Sequence, residues 1–588
     1  MNPSPRMSAM DAAVQVLESE GVDCVFGIPG AAILPFYKAM IGSSIRHVTV
    51  RHEAGGTHAA DGYSRATGRI GVAAGTSGPA GTNMVTGLYT ALADSVAILT
   101  ITGQVPVDQL DREGFQAVDI AEIVRPVVKK SFLVSQAAQV PWVFRDAFRI
   151  MREGRPGPVH IDLPVDVQQE QIIYDASADG PLPIVRQAPN PGAIERALDM
   201  LLEAERPLLM PGGGVIGSEA SELVVELAEL LQIPVLPTLM GWGAIPNDHP
   251  LYAGMTGIQT QTRPGNAAFL ESDLVLAVGA RFAERHTGDL EVYRRGRRFI
   301  HVDVEPTQLG RVFSPDLGIV ADAKLALEAL VEAAKRRTGR REAGSWVAHM
   351  PERRDRLARK MDHDDVPIKP ARVFRELNRF FDEDTIFVTA IGLYQIWSGQ
   401  YQEVSKPRHY LVCGQAGPLG WEVSACTGAK LGRPEKTVVG VVGDYSFQFL
   451  MEEVAVASQY DVPLVLVMLN NAYLGLIRQA ELKYDMNFGV QIDYDGSYGV
   501  DHVKLMDGMG GFGRRVSEPD DIPSALAWAT ETAERERRPV LVEILIEREA
   551  NVAMGAAIDA IKEWDPADAG TDGDPSAAVV DAPAVTGS

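Results

Sequence analysis

Two polar side chains that suit a metal ion follow two apolar stretches of the sequence. Residues 438–442 and 463–469 are rich in β-branched residues and are predicted to be buried strands. Asp444 and Asn471 come just after their ends. Ligands of an open parallel sheet bind at the carboxyl ends of its strands, where one crossover would bring the two side chains together. Their oxygens, with a main-chain carbonyl nearby, suit Mg²⁺ and its accompanying phosphates, although any α/β protein can end strands in this way.

A glutamate, two small-residue turns and an aspartate also follow predicted strands. Glu53 stands in the sequence RHEAG, after a short strand and before a helix predicted at 57–67. The small residues of 76–83 would let the backbone approach a ligand closely. The turn at 211–214 could cradle a diphosphate, but the full GxGxxG pattern is absent. Asp303, at the end of a further strand, is a candidate contact for a ribose or another polar cofactor group.

The elements that must position these residues alternate along the chain. A helix is predicted at 7–20, where Ser8 can cap it, and another after 438–442, where Phe449 and Val456 recur at helical spacing. Other strands are predicted at 24–26, 48–50, 70–75, 96–102, 207–210, 299–302, 385–390 and 539–545. Strands that alternate with helices in this way predict a doubly wound α/β fold with parallel sheets.

The length of the chain predicts several domains. With 588 residues it is too long for one core, and roughly three or four domains are expected. Composition and charge place linkers near 168–191 and 336–369. The predicted domains are therefore 1–167, 190–340 and 370–555. The remaining C-terminal residues, 566–588, are small and acidic without periodicity, and we expect a disordered tail.

Composition excludes several classes of protein. Hydrophobic residues make up 46% and charged residues 23%, as in soluble globular proteins. A formal charge of −23 argues against a nucleic-acid partner. Three cysteines, Cys24, Cys413 and Cys426, lack metal-ligand spacing and favour a reducing compartment. Neither a signal peptide nor an apolar run of about 18–20 residues is present, so we expect a cytoplasmic protein without membrane contact.

The same residues carry a resemblance to a known enzyme family. Gly443-Asp444 followed at this interval by Asn470-Asn471 resembles the fingerprint of thiamine diphosphate (ThDP) enzymes. The strings LNNAYLGLIRQ, from position 469, and CGQAGPLGW, from position 413, resemble those of glyoxylate carboligases, also called tartronate-semialdehyde synthases. More distantly they resemble acetohydroxyacid synthases. The similarity runs from about residue 10 to about residue 554. It implies three doubly wound parallel-sheet domains, namely a pyrimidine-binding, a central FAD-binding-like and a diphosphate-binding domain.

The resemblance also implies an activity and its cofactors. One glyoxylate would be decarboxylated and condensed with a second to give tartronate semialdehyde and CO₂. An acetolactate synthase-like carboligase or decarboxylase that acts on another small 2-oxo acid is the alternative. The implied cofactors are ThDP, Mg²⁺ and an FAD with a structural role. The implied assembly is a homodimer or homotetramer with active sites at the subunit interface.

Individual site residues follow from the matched motifs. Glu53 would be the acid beside N1′ of the cofactor pyrimidine, a role that burial assists by raising a carboxyl pKa. Arg285 would bind the carboxylate of the second substrate, although a surface ion pair is an equal possibility. Phe115 and Gln116 would lie near the thiazolium ring. Residues matching cofactor contacts are Gly30, Thr76, Gly78, Asn83, Gly392, Leu393, Gln415, Leu419, Gly443, Tyr445, Ser446, Leu474, Gly475 and Ile477 for ThDP; Asp444, Asn471 and Tyr473 for the metal; and Gly213, Arg281, Asp303 and Asp322 for FAD.

The sequence departs from its nearest resemblance at one position. Glyoxylate carboligases characteristically have Val at the position of Glu53 and Glu at the next, whereas this chain has Glu53 followed by Ala54. That order is closer to acetohydroxyacid synthases. Conversely, Ala480 stands where acetohydroxyacid synthases carry a Trp. The unusual cofactor activation of glyoxylate carboligases is therefore not carried over. A flavin oxidoreductase or an inactive cofactor-binding relative remains a rival from another class.

Overall fold

Three parallel sheets form the framework of the protein. The computed structural model describes residues 6–494 and 496–563, and the tail predicted at 566–588 lies outside these residues. Every sheet of four or more strands is parallel and is covered by helices, as expected for the doubly wound α/β class. Within the described ranges, no helix is long and apolar enough to cross a bilayer.

The N-terminal unit contains eight strands and eight helices. The strands are β1 (Arg6–Ser8), β2 (Cys24–Gly27), β3 (Arg46–Thr49), β4 (Gly71–Gly75), β5 (Ile98–Gln104), β6 (Lys130–Leu133), β7 (Val159–Pro164) and β8 (Gln171–Ile173). The helices are α1 (Ala9–Ser19), α2 (Leu34–Met40), α3 (Glu53–Thr67), α4 (Pro79–Asn83), α5 (Val85–Asp94), α6 (Ile120–Val124), α7 (Val140–Arg152) and α8 (Val165–Gln169). Six strands form a parallel sheet in the order β3-β2-β4-β5-β7-β6. Strand β1 pairs with β8, which lies within the stretch predicted to be the first linker.

Two local predictions in this unit were wrong. Helix α3 begins at Glu53 itself and not at residue 57. The side chain of His52 accepts a hydrogen bond from the N–H of Ala54 at 3.1 Å and caps the helix, and an acidic first residue suits the positive helix end. Residues 79–83, predicted to be loop, form α4, with Pro79 at its first position.

The central unit holds a four-stranded sheet. Its strands are β9 (Pro207–Pro211), β10 (Leu274–Val278), β11 (Arg298–Asp303) and β12 (Leu317–Val320), in the order β12-β11-β10-β9. Its helices are α9 (Pro191–Glu203), α10 (Gly213–Gly217), α11 (Ser221–Leu231), α12 (Arg263–Glu271), α13 (Glu284–Thr287), α14 (Leu290–Arg294), α15 (Ala323–Arg337), α16 (Ser345–Ala348) and α17 (Met350–Leu357). The last two fall in the stretch predicted to be the second linker, where Met350 is buried.

The C-terminal unit holds the second six-stranded sheet. Its strands are β13 (Ile386–Thr389), β14 (Tyr410–Val412), β15 (Val438–Gly443), β16 (Leu464–Asn470), β17 (Phe512–Val516) and β18 (Pro539–Leu545), in the order β14-β13-β15-β16-β18-β17. Its helices are α18 (Pro370–Phe380), α19 (Leu393–Tyr401), α20 (Trp421–Gly432), α21 (Asp444–Phe447), α22 (Glu453–Gln459), α23 (Gly475–Tyr484), α24 (His502–Gly508) and α25 (Ile522–Glu536).

Short 3₁₀ turns occur in all three units. They lie at Ala31–Ile33, Val107–Gln109, Arg125–Val127, Ala137–Gln139, Leu239–Gly241, Pro306–Gln308 and Pro519–Asp521.

The single helix predicted between β15 and β16 is in fact two short helices. Phe449 lies in the break between α21 and α22, and its side chain is exposed. Gly420 explains the break, because a Cβ atom there would stand 2.8 Å from the Cβ of Phe449 and 3.2 Å from the backbone N of Leu450. The chain bends here around the turn that precedes α20.

Helices α3 and α20 join the N-terminal and C-terminal units through small residues. A Cβ atom at Gly62 would lie 2.4 Å from the carbonyl oxygen of Ala425, and one at Gly428 would lie 1.9 Å from the carbonyl oxygen of Ala59. Only glycine allows backbones to approach this closely. The contact fixes the helix that begins at Glu53 against the helix that follows residues 413–420.

Replacing Gly428 by Ala should therefore destabilise the protein. A methyl group must be accommodated against the backbone of α3, so the free energy of unfolding should fall by about 1–3 kcal/mol. Gly508→Ala is the matched control, since it adds the same methyl group where nothing lies within 4 Å, and it should be neutral or slightly stabilising. Thermal unfolding midpoints measure both effects, and equal midpoints for the two variants would contradict the packing described.

Candidate active site

Parallel pairing of β15 and β16 places the two predicted metal ligands side by side. Gly443 is in register with Leu469, so Asp444 and Asn471 follow neighbouring strand ends. The N–H of Ala472, the next residue, donates to the side-chain oxygen of Asn470 at 3.0 Å, which holds the turn after β16. The side-chain nitrogen of Asn471 donates to the carbonyl oxygen of Arg548 at 3.3 Å, which leaves its amide oxygen available as a ligand.

The environment of Asp444 fits a hard cation. Its side chain is buried, and Oδ2 has no hydrogen-bond partner. Burial raises the pKa of Asp444 to about 7, because a carboxylate without a counter-charge is costly in a low-dielectric site. A divalent ion would reverse that cost, and one carboxylate, one amide oxygen and the carbonyl of Tyr473 form a suitable donor set. No cluster of three or more His, Cys, Asp or Glu ligands occurs in the described residues.

Tight turns around Tyr394 surround the candidate metal ligands. Cβ atoms at Gly392 and Gly443 would lie 2.2 and 2.6 Å from the Tyr394 ring, so the backbone packs directly against it. The Tyr394 hydroxyl donates to Glu422 at 3.0 Å. Burial raises the pKa of Glu422 to about 7. Neither residue was predicted from the sequence, although Glu422 was a visible signal as an acidic residue in the otherwise apolar start of α20.

Further predicted residues gather at this edge of the C-terminal sheet. The Ser446 hydroxyl accepts from the N–H of Gly420 at 2.9 Å. A Cβ atom at Gly475 would stand 2.4 Å from Leu393 and 3.3 Å from Asn471. Tyr445, Leu419 and Leu474 are partly exposed at the same edge, whereas Ile477 is 42% exposed on α23. The structure thus brings together most of the residues predicted to hold ThDP in this unit.

A second group of predicted residues lies at the carboxyl edge of the N-terminal sheet. Asn83 donates to the Glu53 carboxylate at 2.9 Å, which fixes the carboxyl group at the start of α3. A Cβ atom at Gly30 would meet Thr76 at 2.6 Å, and one at Gly78 would meet Gln116 at 2.8 Å. These six residues are Glu53, Asn83, Gly30, Thr76, Gly78 and Gln116.

The ligand candidates of the two groups are not joined by polar contacts within the described part of one chain. Among the described residues, no hydrogen bond or ion pair joins Glu53 to Asp444 or Asn471. Phe115, predicted to lie near the thiazolium, is instead 86% exposed in the single chain. Gln116 beside it adopts a φ of 61° and accepts a long hydrogen bond of 3.4 Å from Ser77. Phe115 is thus open to contact from outside the single chain.

A third group lines a cavity of about 870 Å³ between the units. This volume lies within the range of small-molecule and cofactor sites. The predicted residues on its walls are Gly213, Arg281, Asp303, Asp322, Arg285 and also Gln415, which the sequence analysis had assigned to the ThDP site. Arg285 is largely exposed and pairs with its neighbour Glu284 at 3.6 Å. The surface ion pair considered from the sequence is therefore present, and Arg285 also lines the cavity.

One functional candidate that sequence analysis missed is Glu453. Its Oε1 accepts hydrogen bonds from the backbone N–H groups of Arg51 and His52, both at 2.9 Å, immediately before Glu53. Burial raises the pKa of Glu453 to about 7. The buried carboxyl group thereby holds the entry to α3 from the C-terminal unit. The sequence offers two adjacent glutamates here, and nothing in their spacing distinguishes the buried one.

Three segments of the chain match family models that describe domains of one enzyme family. Residues 7–123 match the N-terminal TPP binding domain of thiamine pyrophosphate enzymes, residues 194–330 their central domain, and residues 390–544 their C-terminal TPP binding domain. Each match falls in one of the three units. The prediction of three α/β domains of this type is confirmed.

Similarity to known proteins extends over almost the whole chain. Glyoxylate carboligase from Escherichia coli O157:H7 is 50% identical over 572 residues, covering 95% of this chain and 96% of that protein. A probable acetolactate synthase large subunit from Methanocaldococcus jannaschii is 38% identical over 552 residues, with 92% of both chains covered. The acetolactate synthase large subunit from Corynebacterium glutamicum is 36% identical over 556 residues, covering 93% of this chain and 88% of that protein.

The buried position of Glu453 predicts a pH-dependent stability. A folded-state pKa near 7, above the ordinary value of 4.5, means that the carboxyl group favours folding most at low pH and loses this contribution as the pH rises toward 7. Glu453→Gln keeps an accepting oxygen but does not titrate. From pH 5 to pH 8, the free energy of unfolding of the variant should therefore rise by about 1–3 kcal/mol relative to that of wild type.

Thermal unfolding at the two pH values measures this difference. The exposed loop residue Glu342 supplies the control, because Glu342→Gln should follow wild type at both pH values. If Glu453→Gln also followed wild type at both, Glu453 would not be the buried, proton-binding group described here.

Proposed function

Because the chain belongs to the thiamine pyrophosphate enzymes, we propose that it is a ThDP-dependent carboligase that acts on glyoxylate. It decarboxylates one molecule of glyoxylate and joins the remaining carbon to a second, which gives tartronate semialdehyde and CO₂. The observation that carries this proposal is the 50% identity to a glyoxylate carboligase along 95% of the chain, compared with 36–38% to the two acetolactate synthases. The cytoplasmic location favoured by the cysteines remains a prediction.

We propose that the C-terminal unit holds the diphosphate through Mg²⁺. Asp444, Asn471 and the carbonyl of Tyr473 are the proposed ligands, and the unpartnered buried Oδ2 of Asp444 supports this assignment. ThDP, when bound, supplies a ring that accepts the electron pair released by decarboxylation. The glycine turns at Gly392 and Gly443 leave the backbone close enough to contact a phosphate.

Glu53 is the proposed acid of the site. Held by Asn83 and by its place at the start of α3, it would share a proton with N1′ of the pyrimidine ring. No hydrogen bond or ion pair joins it to Asp444 among the described residues of one chain, and we propose that Glu53 of one subunit serves the C-terminal unit of another. Large exposed apolar side chains support such an interface: Phe115, Ile477, Leu482, Tyr484 and Phe488. A homodimer is therefore the smallest complete unit, and a tetramer of two such dimers is proposed.

Two further assignments concern the cavity between the units. The exposed guanidinium of Arg285 is free to bind the carboxylate of the second glyoxylate, as a planar donor fork suits a carboxylate. FAD is the proposed occupant of the cavity and would contact Gly213, Arg281, Asp303 and Asp322. Its role would be structural, because the proposed reaction transfers no electrons to a second substrate.

One observation favours a second candidate function. The order Glu53-Ala54 is that of acetohydroxyacid synthases, as the sequence analysis noted. An acetolactate synthase-like carboligase or a decarboxylase that prefers another small 2-oxo acid is therefore the alternative.

Product analysis separates the two candidates. With ThDP, Mg²⁺ and FAD, purified protein given glyoxylate should release CO₂ and form tartronate semialdehyde, which is identified by mass spectrometry after reduction. Pyruvate in place of glyoxylate should give much less CO₂. A strong preference for pyruvate with inert glyoxylate would replace the proposal by the alternative. Bleaching of FAD by substrate without a carbon–carbon product would replace it by a flavin oxidoreductase.

Glu53→Gln tests the acid. Gln retains the shape and the contact to Asn83 but cannot deliver a proton, so kcat should fall by about 100-fold or more, while ThDP affinity changes only slightly. Glu222→Gln also removes a carboxylate from the first turn of a helix, α11 in the central unit, and should leave kcat unchanged. Steady-state kinetics with glyoxylate measures both, and a Glu53→Gln enzyme with undiminished kcat would remove Glu53 from this role.

A further inference from the structure

One buried carboxylate touches all three units of the chain. Asp94 ends α5, and its side chain is fully buried. Its oxygens accept hydrogen bonds from the backbone N–H groups of Gly414 at 2.8 Å and Gln415 at 3.0 Å. Arg281 of the central unit lies 3.6 Å away. Asp94 therefore supports the segment of residues 413–420 that leads to Leu419 and α20.

A neighbouring buried arginine ties the same carboxylate to α3. Arg65 contacts Asp94 at 3.1 Å and Asp61 at 3.0 Å, and it donates to the carbonyl oxygen of Val412 at 2.6 Å. Burial opposes its charge, but the two carboxylates outweigh burial and raise the pKa of Arg65. The indole N–H of Trp421 donates to Asp61 at 2.8 Å. The cluster of Asp61, Arg65 and Asp94 thus joins the Glu53 helix to both ends of residues 413–420.

Arg281, on the wall of the cavity, adds a second positive charge to this cluster. Asp61 and Asp94 are two buried carboxylates, and Arg65 is one buried cation. Arg281 brings the second positive charge, and its side chain is 27% exposed to the cavity that it lines. Gly414 and Gln415 line the same cavity, so an occupant bound next to them and to Arg281 would exclude water from this part of the wall. The Asp94 carboxylate is itself buried, so the excluded water is the water that competes for the N–H groups of Gly414 and Gln415, and their hydrogen bonds to Asp94 become stronger.

We propose that Asp94 is a positioning residue through which occupancy of the central cavity sets the affinity of the enzyme for ThDP. The inference rests on the proposed function and gives FAD a task in a reaction without electron transfer. FAD in the cavity favours the arrangement of residues 413–420 in which Asp94 holds both N–H groups. Since Gly420 and Leu419 belong to this segment, the ThDP site forms more readily when the cavity is filled.

Binding measurements test the coupling without any turnover. The dissociation constant of Mg²⁺-ThDP is measured on the full-length protein, stripped of flavin and then saturated with FAD, from the fluorescence of its tryptophans, among them Trp421. FAD should tighten ThDP binding at least about fivefold, and by linkage ThDP should tighten FAD binding by the same factor. The ratio of the two ThDP constants is the readout.

Matched variants assign the coupling to Asp94. Asp94→Asn should bring the ratio to about one, because the neutral amide presents an N–H group among donors. Asp322→Asn makes the same exchange in the same cavity and keeps the cap of α15, since Asn caps as well as Asp. It should need more FAD for saturation and keep the wild-type ratio. If Asp94→Asn fails to fold, Arg281→Met provides the test. It removes the positive charge next to Asp94 on the cavity side and should also bring the ratio to about one.

The outcomes separate this inference from the proposed function. An Asp94→Asn ratio equal to wild type, a wild-type ratio of one, or failure to bind FAD would overturn the coupling and leave the carboligase proposal standing. Failure of the wild-type protein to bind Mg²⁺-ThDP would overturn both. Loss of the ratio in Asp94→Asn with its retention in Asp322→Asn would establish Asp94 as the connection.

Discussion

The parallel register of β15 and β16 is the constraint on which the rest of the structure depends. It fixes Asp444 and Asn471 as neighbours at the edge of a buried sheet, and it leaves a carboxylate oxygen in the interior without a protein partner. A buried charge of this kind is unfavourable unless a cation meets it. The glycine turns, the Tyr394–Glu422 pair and the Ser446 contact all shape the space around that charge. The fold thus maintains a locally unfavourable group, and the proposed Mg²⁺ would offset its cost.

The second constraint is the division of the site between two ends of the chain. Helix α3 packs so closely on α20 that Gly62 and Gly428 have no room for a side chain. Glu453 reaches across the same contact to hold the backbone before Glu53. The start of α3 is therefore held against its own C-terminal unit, whereas the carboxylate that we propose as the acid is bound by Asn83 of the N-terminal unit. This arrangement is what makes a second subunit necessary in the proposed mechanism.

The parts of the structure that could be predicted from sequence are those set by short-range pattern. The apolar run that became β18 was predicted with its observed bounds, and Asp444 and Asn471 were placed at strand ends by the same reasoning. The start of α3 was missed because Gly55 and Gly56 indicate a turn when their tertiary neighbours are unknown. Packing against Gly420 likewise interrupts the helix expected at Phe449.

Residues whose role depends on distant partners could not be found in this way. Asp94 meets Gly414 and Gln415, and Glu453 meets Arg51 and His52, across hundreds of positions of sequence. No local spacing records such pairs. The resemblance supplied the residues that we propose as cofactor contacts but not the ones that hold these residues in place.

Arg285 has a consequence for how the enzyme can diversify. Its guanidinium stands in solvent and pairs only loosely with the adjacent Glu284, so its replacement would disturb no buried network. Replacing Asp444, Asn471 or the packed glycines would instead change buried contacts. In the role that we propose for Arg285, new acceptor preferences can therefore arise at this arginine with little penalty to folding, while the rest of the site stays unchanged during evolution or laboratory selection.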